Sequence, residues 1–64
     1  QMMMSPETEA QIREAAKKAV GVDPIEEFNP TEKVVVIKRD ISDPPAMRRL
    51  EAAMSTFGWR VEQM

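Results

Sequence analysis

The residues that could do chemistry are few, and the gaps among them are informative. The chain has no histidine, cysteine or tyrosine. Nucleophilic sites of the Ser-His or Cys-His type are therefore excluded, and so are the two commonest zinc ligands. The hydroxyls are Ser5, Thr8, Thr31, Ser42, Ser55 and Thr56. Ser5 and Ser42 stand just ahead of proline-led helical segments, where a hydroxyl caps the helix. Carboxylates come close in sequence at Glu26-Glu27 and at Asp40/Asp43. Neighbouring strand residues point to opposite faces, so Glu26 and Glu27 cannot share one site in regular geometry. Asp40 and Asp43 flank a helix start, where capping explains them better than ion binding. Both glycines, Gly21 and Gly58, follow helical segments, so no glycine-rich phosphate cradle is present. These residues predict no catalytic site, no metal and no cofactor.

Basic residues form the one remaining chemical signal. Residues 1–32 hold three basic against seven acidic side chains, and residues 33–64 hold six against four. The overall charge of −2 thus conceals an acidic first half and a basic second half. Lys38, Arg39, Arg48, Arg49 and Arg60 are the candidates for an anion or nucleic-acid site. RNA-binding sheets usually stack bases on exposed aromatics, however. The only aromatics are Phe28, Phe57 and Trp59, and the last two suit a core. Nucleic-acid binding is therefore the alternative reading rather than the leading one.

The elements that must position these groups follow from pattern. Ser5, Pro6, Glu7 and Glu9 make a helix start, and Lys17, Lys18 and Gly21 make its end. Between them Ile12, Ala15, Ala16, Ala19 and Val20 form one stripe at helical spacing. Ile25–Phe28 reads as a short strand, and Asn29-Pro30-Thr31-Glu32 as a type I turn. Lys33–Arg39 contains Val34-Val35-Val36-Ile37, apolar at successive positions as in a central strand. A second helix is expected from about Pro44 to Phe57, with Met47, Leu50, Met54 and Phe57 on one stripe beside Ala46 and Ala53. Gly58 stops it, and Trp59–Glu62 alternates as a last strand.

The expected fold class is α+β, in the order α-β-β-α-β, as one domain over residues 1–64. One strand added ahead of the first helix would make a ferredoxin-like split βαβ, with two helices on one face of a small sheet. Gln1–Met4 is expected to be that strand in abbreviated form, a disordered end or a tag remnant. No run of apolar residues approaches the ~20 needed to span a membrane, so a cytoplasmic setting is expected.

Function is read from what this fold leaves uncovered. A chain of 64 residues buries only about 60% of its unfolded surface. Domains this small usually gain a disulfide, a metal or a partner, and this composition leaves very regular packing or association with another chain. The doubly apolar strand also puts an apolar pair on each face, whereas helices cover only one. Phe28, Val35 and Ile37 are the expected interaction residues, with Val34 and Val36 as the pair if the sheet faces the other way. The expectation is a small non-enzymatic protein-interaction module, homodimeric or accessory to a larger protein.

Overall fold

The structure is a computed structural model that describes residues 5–64. Helix α1 spans Pro6–Val20, β1 Ile25–Asn29, β2 Val34–Ile37, α2 Pro44–Thr56 and β3 Arg60–Gln63. The α+β class and the element order match those read from the sequence.

Local chemistry sets each boundary. Ser5 caps α1 by accepting a hydrogen bond from the Thr8 N–H at 3.1 Å. Gly21, at φ +93°, closes the helix, and its N–H donates to the Lys17 carbonyl. Asp43 occupies the N-cap position of α2 but makes no side-chain cap. Its carbonyl accepts from the Met47 N–H instead. The end of α2 is a Schellman motif. Trp59 N–H donates to the Met54 carbonyl at 3.0 Å and Gly58 N–H to Ser55 at 2.9 Å, with Gly58 at φ +80°.

The sheet has three strands in the order β1-β2-β3. Strands β1 and β2 form an antiparallel hairpin, while β2 and β3 are parallel. In the hairpin loop the Glu32 N–H donates to the side chain of Asn29, at Oδ1, three residues back. Lys33 then enters β2 at φ +55°, an uncommon conformation for a residue with a Cβ. Strand β3 pairs directly with β2, so no strand separates the two parallel partners. A split βαβ has one there. The first strand of the ferredoxin-like expectation falls on Gln1–Met4, which lie outside the described residues.

The core lies between the helices and one face of the sheet. Ile12 and Ala16 of α1 and Leu50 and Met54 of α2 pack with Ile25, Val35, Ile37 and Trp59. Both predicted helical stripes are therefore core. Phe28, Val35 and Val61 stand side by side in the strand register, so all three face the helices.

Candidate interaction edge and cleft

The core-facing register corrects the first choice of interaction residues. Val35 and Ile37 are 0% exposed, and Phe28 is half-buried against the core. The side chains expected to meet a partner instead hold the helices.

Val34 and Val36 occupy the opposite face, but they do not form the expected apolar patch. Val34 is only 3% exposed and Val36 is half-buried. Their register partners are Asn29 and Arg60 for Val34, and Glu27 and Glu62 for Val36. Polar and charged neighbours thus frame a narrow apolar strip. The large apolar residues that do stand exposed, Val22 and Met64, are single side chains.

The five candidate basic residues are likewise not brought together. Arg60 pairs with Val34 at the start of the parallel strands, whereas Lys38 and Arg39 follow their far end. Four residues of strand separate the two positions, about 13 Å. Arg48 lies in the first half of α2, and Arg49 donates from Nε to the Ala19 carbonyl at 3.0 Å. That bond ties α2 to the last turn of α1, so Arg49 has a structural partner. Among the described residues no three carboxylates gather as a metal would require, and no helix is long and apolar enough to cross a membrane.

The two edges of the sheet differ in a way that bears on binding. Along β1 the register slips between Ile25 and Glu27, leaving Glu26 as the extra residue of a bulge. A bulge and two exposed carboxylates blunt that edge against another strand. Strand β3 has no bulge, since its four residues pair with β2 in unbroken register, and its exposed charges, Arg60 and Glu62, are of opposite sign rather than both acidic.

Hydrogen bonding shows which groups of β3 point outward. Arg60 N–H donates to Lys33 at 2.8 Å and Met64 N–H to Ile37 at 3.2 Å. In a parallel ladder alternate residues address the same neighbour, so Arg60, Glu62 and Met64 face β2. The N–H and C=O groups of Val61 and Gln63 therefore point away from β2, and no described strand lies beyond them. Beside this edge runs an open-sided cleft of about 340 Å³, lined by Glu51 and Ser55 of α2 and by Trp59, Arg60 and Val61.

Two side chains hold the edge in place. Trp59 is buried, and its ring meets that of Phe28 edge-on. Gln63 Nε2 sits among the carbonyls of Lys38, Arg39 and Ile41 with its two N–H groups, fastening the end of β3 to the loop before α2. On the other flank Arg13 binds Asp23 Oδ2 at 2.8 Å and the Ile25 carbonyl at 3.3 Å, and lies 5.0 Å from the Phe28 ring centroid. Sequence reasoning missed this role of Arg13. Its only signal was Glu9 one helical turn earlier, which does pair with it at 3.5 Å.

No protein-family model matches this chain, and no curated protein or solved structure matches it either.

Proposed function

We propose that this domain is a non-enzymatic protein-interaction module that takes up an extended polypeptide strand along β3. The observation that supports this reading most directly is the asymmetry of the two sheet edges. The β1 edge is bulged and acidic, while β3 is regular and borders a cleft. Strand addition uses such an edge: backbone pairing supplies affinity, and alternate side chains of the incoming strand enter the neighbouring groove. Here those side chains would meet Val61 and Trp59 on the cleft floor and Glu51 and Ser55 on the α2 wall. The proposed setting is the cytoplasm, where a cysteine-free domain loses nothing to a reducing environment.

The test is Val61→Pro. The Val61 N–H points outward, so proline there removes no bond to β2 but blocks pairing on the open side. Polypeptides captured by the wild-type protein from a lysate should be lost with a folded Val61→Pro variant. An unchanged set of captured chains would show that β3 is not the binding edge.

A further inference from the structure

We propose that the strand docking on β3 is β3 of a second copy, paired antiparallel about a two-fold axis at Val61. The inference rests on the reading of β3 as the docking edge and adds the identity of the occupant.

The argument is one of charge register. Arg60 and Glu62 lie on the sheet face away from the helices, with Val61 between them on the helix side. An antiparallel pair centred on Val61 places Arg60 of each copy opposite Glu62 of the other, so two opposite-charge pairs form by symmetry. Other symmetric registers lose this match. Centring on Glu62 sets two carboxylates against each other, and centring on Arg60 sets two guanidinium groups together. Centring on Gln63 puts Glu62 opposite Met64 and leaves both charges without partners. Opposite charges facing each other across strands stabilise a pair, and like charges destabilise it.

Backbone geometry selects the same register. Val61 carries outward N–H and C=O groups, so two Val61 residues can exchange both bonds as a hydrogen-bonded pair. Arg60 and Glu62 then fall in the adjacent non-hydrogen-bonded pairs, where side chains approach more closely. On the helix side the half-buried Val61 of each copy covers the other, beside the cleft that leaves room for it. A two-fold axis normal to the sheet keeps all helices on one face and closes the assembly, leaving the blunted β1 strands outermost. Strands of four residues make a contact smaller than the roughly 1,200–2,000 Å² of stable complexes, so the dimer is expected to be concentration-dependent.

Charge exchange tests the register. Arg60 and Glu62 are exposed, so Arg60→Glu and Glu62→Arg should each fold, which circular dichroism checks. Sedimentation should show the wild-type mass rising from monomer towards dimer with concentration, and each single variant remaining monomeric. Mixing the two variants should restore the dimer mass, because every position 60 then faces an opposite charge at position 62. The double variant Arg60→Glu/Glu62→Arg should also dimerise. A wild-type protein that stays monomeric, or single variants that dimerise as well as it does, would overturn the inference. If the wild type is monomeric yet captures another chain in a Val61→Pro-sensitive way, the module reading stands and only the second copy is ruled out. Loss of that capture as well would remove both.

Discussion

The ring of Phe28 meets the ring of Trp59 edge-on, with centroids 5.8 Å apart and planes at 90°. This contact joins the hairpin strand β1 to the turn that launches β3. Trp59 also closes the α2 Schellman motif through its backbone N–H. One residue therefore ends a helix, fills the core and lines the cleft. Trp59→Ala should cost about 3–5 kcal/mol, a large share of the stability of so small a domain. Phe28→Leu should cost less, losing about 0.5–1.5 kcal/mol of ring–ring interaction on top of a smaller change in burial. Urea titrations of both variants check the order, and equal midpoints would contradict it.

Arg13 makes the complementary prediction on the other flank. Its guanidinium meets Asp23, the Ile25 carbonyl and the Phe28 ring, with its side chain 35% exposed. Solvent weakens each contact, so Arg13→Ala should lose about 1–2 kcal/mol in all. Arg13→Lys should recover only part of this, because a single ammonium cannot reproduce the planar fork. Thermal melts of the two variants measure the difference.

Lys33 holds φ +55° where the hairpin loop enters β2, a conformation that disfavours any side chain with a Cβ. Lys33→Gly relieves that strain but gives the unfolded chain more freedom, so the net change should be a stabilisation of up to about 1 kcal/mol. Lys33→Val should instead destabilise, since a β-branched residue fits the left-handed region worst. Chemical denaturation of the pair gives the sign directly.

Much of this fold was legible in the sequence because local signals decide it. Ser5-Pro6 and Gly21 frame α1, Gly58 ends α2, and both apolar stripes reached the core. The run Val34-Val35-Val36-Ile37 identified the central strand. Boundaries moved where local turn geometry competes with the strand. Lys33 left the strand for the hairpin loop, and Trp59 was drawn into the helix end. The candidate site was far less legible. Four apolar residues in succession cannot show which pair faces the helices, and the pair named first proved to be core. Which strand lies outermost, and which of its amides point outward, depends on long-range pairing that no local pattern encodes. The bulge at Glu26 escaped notice for the same reason.

Amide hydrogen exchange along β3 decides whether its outward edge is the interface. Arg60, Glu62 and Met64 face β2, while the amides of Val61 and Gln63 face outward. In dilute protein the two outward amides should exchange much faster than the other three. As concentration rises, Val61 and Gln63 should slow in step with the appearance of dimer mass, with the inward amides little changed. Two results would contradict the account. One is a dimer in which Val61 and Gln63 still exchange at their dilute rates, which would put the interface elsewhere. The other is protection of Val61 and Gln63 already complete in the dilute monomer, which would mean that the edge is not open.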